Sequence, residues 1–483
     1  MYDIRILVFI LVIVVAAVIW LFLNLHENRS YSGSAESLLN CKDFEQILAI
    51  ISEFDDMPPC VVMNDIKHEL KYRPKSMIYR PVVHIGQRKL LDNEIQFLTN
   101  SLPTKDAHAF VIYAGSSPSN HIYLLHKLFP NVKFILVDPR ETLIYTKKCK
   151  PHYSDKIGNI VYIKTSKDDR YDTQISKKIA LFDHSTGDIN IVNRKDGIME
   201  KVDEASIKFI KESNFRIYII EDVFSDELAG LLREIGKLYF WSDIRTSGDE
   251  SPTDLDILWD LAQQYVWLSI LQPEKYMIKF RVPFFSLDIE DINDNYLATF
   301  DKCRNTIDFV KNYSDKKMEY ISGEIYIQPF AGVNSTETRL VGSLEDITNI
   351  RNYDTVKYED KFYYYNNIER PIGMHINPIS DVETGYDHCG DCSLEYFILS
   401  NYRDKIDPQF DIADFLKKID KMTNKSLKWR GHGNLFPSRG KGLVNTIKWY
   451  KDIGIKNKPG IVEKLNILNN KYNHESSETK HEH

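Results

Sequence analysis

The sequence predicts an α/β fold built on a mostly parallel sheet with helices on both faces. A short apolar run at residues 109–113 is typical of a buried strand. A second such run, at 132–137, follows a helical pattern that contains Leu124 and Leu128. Strands and helices continue to alternate along the chain, and this order is typical of parallel sheets covered by helices.

The other predicted elements follow the same alternation. Apolar residues at helical spacing predict a helix over 87–100. The stretch from Ser251 to Asp254 is a good helix start, and an apolar helical face follows it. An inserted hairpin and helix are predicted within 166–222. Further strands are predicted at 160–163, 215–220, 238–241, 276–284 and 324–328, with a short helix at 226–235.

Composition places the chain among folded proteins. Of 483 residues, 43% are hydrophobic and 12% aromatic, which excludes wholesale disorder and suits two or three domains, or one large domain with extensions. The formal net charge of −7 excludes a uniformly basic protein, so any RNA binding needs a local basic patch. The six cysteines are sparse and mostly far apart, which favours a reducing compartment.

The chain begins with an unbroken apolar run at residues 6–23. As a helix it would span about 27 Å, close to a bilayer core of about 30 Å. The alternative is a cleaved signal peptide, but no small-residue cleavage site follows Leu23. Arg5 and Arg29 flank the run on opposite sides, so orientation is not indicated. We therefore predict a transmembrane anchor at 1–25 and a tether with a short helix at 26–68.

Gly115 and Asp138 suggest a nucleoside cofactor. Gly115 follows the first strand, where a turn must let the backbone approach a ligand, and Asp138 ends the second strand, where it can accept ribose hydroxyls. The turn has only one glycine, which weakens a dinucleotide interpretation because a pyrophosphate needs several exposed amides. S-adenosylmethionine carries no phosphate and tolerates such a turn. The alternative is an α/β domain with an unremarkable turn.

A series of sequence blocks carries a family resemblance. The blocks occur in the order ELKYRP, IGQRKLL, VIYAGSSPSNHI, FILVDPR, FWSDIR, MIKFRVPF, IQPFAGVNSTETRL and VKYEDKFYYYNN. Together they resemble the poxvirus cap-specific 2′-O-methyltransferases, a family whose members also serve as poly(A) polymerase regulatory subunits. The resemblance covers about residues 69–402. It implies a Rossmann-like methyltransferase domain at 69–405, which transfers a methyl group from S-adenosyl-L-methionine to the ribose 2′-hydroxyl of the first transcribed nucleotide of capped mRNA.

The resemblance implies a catalytic tetrad of Lys89, Asp243, Lys279 and Glu337. Lys279 is expected to contact the 2′-hydroxyl and Asp243 to position it, while Lys89 and Glu337 tune and orient it. A lysine serves as a base only if its pKa falls well below about 10.4, which burial and a neighbouring cation favour. Taken singly, each lysine could be a solvated surface charge, and Asp243 a strand-end or cap residue.

Cofactor contacts implied by the resemblance are Gln87, Gly115, Asp138 and Arg140, and residues 222–224 would line the adenine. The sequence departs from the family at two positions of this region. Ser119 stands where a second glycine is expected, and Pro139 follows Asp138 in place of a glycine.

Cap contacts implied by the resemblance are Tyr72, Phe284 and Glu359. Two aromatic faces can sandwich a methylated, positively charged guanine while a carboxylate accepts its ring-edge protons. A further family acid is replaced by Ser286. The alternative is that Tyr72 and Phe284 are ordinary core aromatics, in a chain with 28 Tyr and 24 Phe.

Residues 406–483 form a predicted basic extension with a disordered tail. Its cations between 421 and 458 could face RNA, anionic lipid or only solvent. Cys389 and Cys392 supply at most half a zinc site, so no metal is expected.

The predicted partners are capped mRNA, a poly(A) polymerase catalytic subunit and, through residues 6–23, a membrane. The expected location is a single-pass membrane protein with its catalytic domain facing the host cytoplasm, in a virus factory or virion. Two alternatives stay open: a non-catalytic cap- or RNA-binding subunit that stimulates a viral polymerase, and a virion membrane protein that reuses the fold. The second alternative predicts an occluded slot between Tyr72 and Phe284.

Overall fold

The computed structural model describes the central part of the chain. The described ranges are 58–72, 85–140, 142, 160–164, 178–182, 189–193, 198–199, 202–212, 216–247, 252–284, 294–309, 311, 316–332, 335–370 and 390–429. The predicted tether up to residue 57, the loops of the predicted insertion, Ser286, Cys389 and the basic segment beyond residue 429 lie outside these residues.

A nine-stranded sheet forms the centre of the fold, in the order β11-β12-β9-β8-β1-β2-β7-β3-β6. In this order, all neighbouring strands between β9 and β6 are parallel. At the other edge of the sheet, β12 pairs antiparallel with β9, and β11 pairs antiparallel with β12. The α/β class and the mostly parallel sheet are therefore confirmed. The strands of this sheet are β1 (Ala109–Ala114), β2 (Val132–Val137), β3 (Ile160–Lys164), β6 (Ile198–Met199), β7 (Ile217–Glu221), β8 (Tyr239–Ser242), β9 (Lys275–Phe280), β11 (Glu324–Tyr326) and β12 (Thr338–Ser343).

Two small two-stranded sheets accompany the main one. Within the predicted insertion, β4 (Lys178–Phe182) pairs antiparallel with β5 (Ile189–Asn193). Beyond it, β10 (Lys317–Ile321) pairs antiparallel with β13 (Ile350–Asp354). The strand predicted at 276–284 ends earlier, at Phe280, and Pro283 lies in the irregular segment that follows.

The helices form two packing groups. In one group α1 (Gly86–Ser101) contacts α2 (Ile122–Leu128), α8 (Gly390–Lys405) and α9 (Ile412–Trp429). In the other, α3 (Glu204–Glu212), α4 (Asp226–Arg233), α5 (Asp254–Leu271) and α6 (Asp294–Cys303) pack in succession. A further helix, α7 (Thr355–Tyr364), follows β13. Two such groups are what a sheet covered on two faces requires.

Local sequence explains where α5 begins. The Thr253 side chain accepts a hydrogen bond from the Asp256 amide, and the Asp256 carboxylate accepts one from the Thr253 amide at 2.8 Å. This reciprocal capping box satisfies amide groups that the first helical turn leaves unpaired. The helix start predicted at 251–254 is therefore confirmed.

The parallel core is apolar throughout. All six residues of β2 are buried, and so are Val111, Ile112 and Tyr113 of β1. Strands buried on both faces read as continuous apolar runs rather than as alternating patterns. This is why residues 109–113 and 132–137 could be recognised as strands from the sequence.

No helix in the described ranges is long and apolar enough to cross a membrane. A spanning helix needs about 20 predominantly apolar residues. This finding corrects the prediction of a single-pass membrane protein, and the apolar run at 6–23 on which that prediction rested lies outside the described residues.

Gly115 is a position where the fold tolerates little change. Its φ is +74°, and an added Cβ would lie 2.9 Å from the Asp243 carbonyl carbon and the Ile244 nitrogen. We expect Gly115→Ala to lower the free energy of unfolding by about 2 kcal/mol, because a left-handed alanine is strained and the contact is backbone. Urea denaturation measures this change.

The matched control is Gly230→Ala within α4, where an added Cβ meets nothing within 4 Å. It should stabilise the protein by about 0.5–1 kcal/mol through helix propensity. Equal stability of the two variants would contradict the close approach of the Gly115 turn to Asp243.

Candidate functional site

Three neighbouring strands end at the same edge of the sheet and bring distant residues together. Ala114 of β1 pairs with Ser242 of β8, which in turn pairs with Ile278 of β9. The residues that follow these positions are Gly115, Asp243 and Lys279. Open α/β sheets bind ligands at this carboxyl edge.

The four residues predicted as a tetrad converge there. The Lys279 Nζ lies 3.0 Å from Asp243 Oδ1 and 3.4 Å from Glu337 Oε2. Lys89, from the first turn of α1, donates a short hydrogen bond to Glu337 Oε1. The side chains of Lys89 and Glu337 are each 11% exposed, so this pair is largely shielded from water.

Two arginines that the sequence analysis did not identify complete the cluster. Arg339 is 2% exposed, and its Nη2 donates to Asp243 Oδ1 at 2.7 Å. It reaches this position because Arg339 is the register partner of Lys279 in the antiparallel pair of β12 and β9. Arg245, two residues after Asp243, donates to Glu337 Oε2 at 3.1 Å. The only sequence signal was their position within the STETRL and WSDIR blocks.

Charge in the cluster is unbalanced, with Lys89, Lys279, Arg245 and Arg339 against Asp243 and Glu337. Burial lowers the pKa of Lys89, although Glu337 opposes this effect. Burial would raise the pKa of Glu337, but Lys279, Lys89 and Arg339 outweigh it and hold that pKa well below its ordinary value. Asp243 and Glu337 therefore stay ionised. The positive charge of Arg339 and Lys279 adds to the effect of burial in lowering the pKa of Lys89.

The cofactor edge is organised around Asp138. Its side chain is 2% exposed, and Oδ2 accepts a hydrogen bond from the Ser117 amide at 3.1 Å. Oδ1 accepts from the Arg140 amide at 2.8 Å, and the Arg140 guanidinium, 64% exposed, folds back onto the same carboxylate. An exposed arginine can be displaced, which would free carboxylate lone pairs for ribose hydroxyls.

Ser119 occupies the position of the expected glycine at φ +54°. Its hydroxyl donates to the Ser116 carbonyl at 2.5 Å, and the residue is fully buried. This local hydrogen bond offsets part of the strain of a left-handed serine.

The polar atoms at this edge suit a polar ligand. The buried side-chain oxygens of Ser116, Asn120 and Ser242 have no hydrogen-bond partner among the described residues. Buried polar atoms are normally paired, so their clustering beside Gly115 indicates that a ligand supplies partners. Gln87 lies nearby with its Oε1 2.8 Å from the His121 Nδ1. Val223, after β7, is 60% exposed, and the adenine contact at 222–224 stays a prediction. The residues present thus fit S-adenosylmethionine.

A pocket of about 300 Å³ adjoins the charged cluster. Lys279, Glu337 and Arg245 line it at the cluster, and Tyr72 and Phe284 also line it. Arg281 is a further cation of the lining, and its guanidinium lies 4.5 Å over the Phe284 ring. The pocket therefore joins the predicted tetrad to the predicted cap-binding aromatics.

The two aromatic rings are stacked directly on each other. Their centroids are 5.9 Å apart at an interplanar angle of 21°, and Tyr363 packs edge-on against Tyr72. A base inserted between two rings needs about 7 Å, since stacked layers repeat about every 3.4 Å. The centroid separation of 5.9 Å is below this value, so a base does not fit between the rings in this structure.

Glu359, on α7, is the third predicted cap contact. Its Oε1 is buried without a hydrogen-bond partner in the described part of the chain. Burial raises its pKa to about 7, and the neighbouring carboxylates Asp360 and Asp254 add to this effect. An unpartnered acceptor is what a donor edge of a ligand would satisfy.

The predicted half zinc site is only partly described. Cys392 is buried in α8, whereas Cys389 lies outside the described residues. Across the described ranges, no group of three His, Cys, Asp or Glu side chains is arranged to hold a metal ion. The expectation that the chain binds no metal stays a prediction.

Comparison with known proteins identifies relatives. The family model described as "Poly A polymerase regulatory subunit" matches residues 56–181 and 198–406. The chain is 25% identical over 327 residues to the "Cap-specific mRNA (nucleoside-2'-O-)-methyltransferase" of Myxoma virus (strain Lausanne). This alignment covers 65% of this chain and 70% of the Myxoma virus protein. It is 24% identical over 293 residues to the protein of the same name from Fowlpox virus (strain NVSL), covering 59% and 68%.

Glu337 is predicted to be the main stabilising charge of the cluster. We expect Glu337→Gln to lower the free energy of unfolding by about 3 kcal/mol at pH 7, because the buried cations lose their counter-charge. Urea denaturation measures the effect, and Glu345→Gln, at an exposed site, is the control with a change within about 0.5 kcal/mol.

The pH dependence of that difference has a defined sign. Because the pKa of Glu337 is depressed on folding, its contribution is present above the unfolded value of about 4.3 and is lost as the pH falls. The gap between wild type and Glu337→Gln should narrow below about pH 4. A gap that widens there would contradict the ion pairing.

Proposed function

Because the chain belongs to the poly(A) polymerase regulatory subunit family, we propose that it transfers a methyl group from S-adenosylmethionine to the ribose 2′-hydroxyl of the first transcribed nucleotide of capped mRNA. The observation that carries this proposal is the convergence of Lys279 with Asp243 and Glu337 beside the Gly115 turn. The names of the Myxoma virus and Fowlpox virus relatives support it at the level of the reaction.

In this proposal, the cofactor supplies an electrophilic methyl group on a sulfonium. The task of the protein is to place a ribose hydroxyl in line with that methyl group and to accept the proton of the hydroxyl. Lys279 lines the pocket and ends at the charged cluster, so it is the residue assigned to this hydroxyl. Asp243, held by Arg339 at 2.7 Å, fixes the position of the Lys279 amine.

Lys89 and Glu337 act on Lys279 through charge. Glu337 keeps its charge and orients the Lys279 amine at 3.4 Å. Lys89, Arg245 and Arg339 add positive charge around Glu337, the carboxylate that faces the Lys279 amine.

Arg245 and Arg281 suit the phosphates of a capped RNA end. Both line the pocket, which extends from Lys279 to the aromatic pair. Guanidinium groups bind phosphate oxygens in bidentate geometry. These arginines would hold the triphosphate bridge while the slot between Tyr72 and Phe284 opens for the methylated guanine.

The family description favours a second candidate function. The description "Poly A polymerase regulatory subunit" names a subunit that regulates another enzyme, and a non-catalytic cap-holding subunit would need the pocket but no methyl transfer. A polymerase catalytic subunit is then a proposed partner in either case. Methyl transfer to capped RNA separates the two candidates.

Lys279→Ala is the decisive variant. Methyl transfer from labelled S-adenosylmethionine to capped RNA should fall at least a hundredfold, as expected when a general base is removed. Lys275→Ala, at the other end of β9 where the amine binds the Asn100 carbonyl, is the matched control and should retain transfer. Cap binding by a wild-type chain that transfers no methyl group would favour the regulatory candidate.

Glu359 gives cap binding a pH dependence. Its carboxylate must be ionised to accept guanine N–H groups, and burial raises its pKa to about 7. Affinity for a methylated cap analogue, followed by fluorescence quenching, should therefore increase as the pH rises through about 7. Glu359→Gln should bind weakly with little pH dependence. An unchanged pH dependence in this variant would exclude Glu359 from the cap site.

A further inference from the structure

One face of helix α5, which carries both polar and apolar side chains, lines the pocket. Ile257, Asp260, Leu261 and Gln264 line the pocket, at the helical spacing of one face. The sequence analysis assigned only the apolar core face of this helix. Asp260 is 8% exposed and Gln264 is fully buried, so both are polar side chains committed to the interior.

Each polar residue of this face holds a segment that carries the proposed chemistry. Asp260 Oδ1 accepts a short hydrogen bond from the Thr246 hydroxyl, in the loop that begins at Asp243. Gln264 Nε2 donates to the main-chain carbonyl of Lys279 at 3.0 Å. At the helix start, Asp254 Oδ1 accepts from the Phe284 amide at 2.8 Å.

Asp260 holds the loop after β8, which contains Asp243, and Gln264 holds strand β9, which contains Lys279. The relative position of this loop and this strand sets the geometry of the ion pair between Asp243 and Lys279. Thr246 lies three residues beyond Asp243, and one residue beyond Arg245. The distance of 3.0 Å between Lys279 Nζ and Asp243 Oδ1 depends on both anchors. A misplacement of about 1 Å at such a pair costs about a hundredfold in rate.

We propose that Asp260 and Gln264 are positioning residues, which fasten the loop after β8 and strand β9 to α5 and so set the geometry of Asp243, Arg245 and Lys279. This inference rests on the proposed methyl transfer. Neither residue is assigned to the reacting atoms, and their action runs through the Thr246 hydroxyl and the Lys279 carbonyl.

Asp260 also gives the loop a pH-dependent anchor. Burial raises its pKa to about 6, against the opposing effects of the Thr246 hydrogen bond and the charge of Lys279. Below that pH a protonated carboxyl accepts the Thr246 hydrogen bond more weakly. The charged and titratable groups around Asp260 are Lys279 and Arg281 of the β9 segment, Arg245 of the loop, Glu337 before β12, Tyr296 of α6, and Asp256 of α5 itself.

The test compares Asp260→Asn and Thr246→Val with Thr246→Ser, which keeps the hydroxyl, and with Asp404→Asn at an exposed site as the matched control. In methyl transfer to capped RNA, Asp260→Asn and Thr246→Val should lose about tenfold or more in kcat, with KM for S-adenosylmethionine changed less than about threefold. Thr246→Ser should restore most of kcat, and the wild-type decline in kcat below about pH 6 should be absent from Asp260→Asn.

Stability separates positioning from a general structural role. A carboxylate whose pKa is raised on folding opposes folding once it is ionised above about pH 6. The Tm of Asp260→Asn at pH 7.5 should therefore equal or exceed that of wild type. A lower Tm that accompanies the loss of kcat would overturn the proposal, as would an unchanged kcat.

A readout that needs no turnover distinguishes failure of the positioning role from failure of the proposed reaction. The rate at which acetic anhydride labels Lys279, measured by peptide mass spectrometry, should change several-fold in Asp260→Asn and Thr246→Val but not in Asp404→Asn. If the wild-type chain transfers no methyl group, only the proposed function fails. If the labelling rate of Lys279 is unchanged in both variants, the positioning role itself fails.

Discussion

The hydrogen-bonded ion pair of Asp243 and Arg339 is the interaction on which the candidate site depends. Arg339 is almost completely buried, and a buried guanidinium is tolerated only with a carboxylate in close contact. Asp243 thus satisfies a structural requirement of β12 while its Oδ1 also holds the Lys279 amine. Stability and chemistry share one carboxylate, which links the integrity of the sheet edge to the orientation of the lysine.

The turn after β1 is subject to the same constraint from the other side. Gly115 has no side chain because the backbone of Asp243 and Ile244 occupies the space that a Cβ would need. The close approach brings the cofactor edge and the charged cluster within reach of one ligand. A bulkier residue there would push the Gly115 turn away from Asp243.

The sequence identified the parts of the site that lie inside contiguous blocks. Lys89, Asp243, Lys279 and Glu337 were inferred from the family resemblance, and the strands of the parallel core from continuous apolar runs. Arg339 could not be inferred in the same way, because its role follows from the antiparallel register of β12 against β9. Whether Asp260 and Gln264 face the pocket depends on the rotation of α5 about its axis. The pattern of apolar residues predicts only which side of the helix faces the core. The closed contact of Tyr72 and Phe284 depends on side-chain rotamers, which no spacing encodes.

The antiparallel pairing of β12 with β9 has a consequence for how such proteins can diverge. Arg339 and Lys279 are direct partners across that pair, whereas more than fifty residues of chain connect them. Insertions and deletions in this long connection leave the pairing intact and are cheap in conformational entropy. A slip of a single residue would instead turn the arginine to the opposite face of the sheet. Loops of this connection can therefore change in length away from Arg281, Phe284 and Glu337, whereas the register of β12 against β9 must be kept.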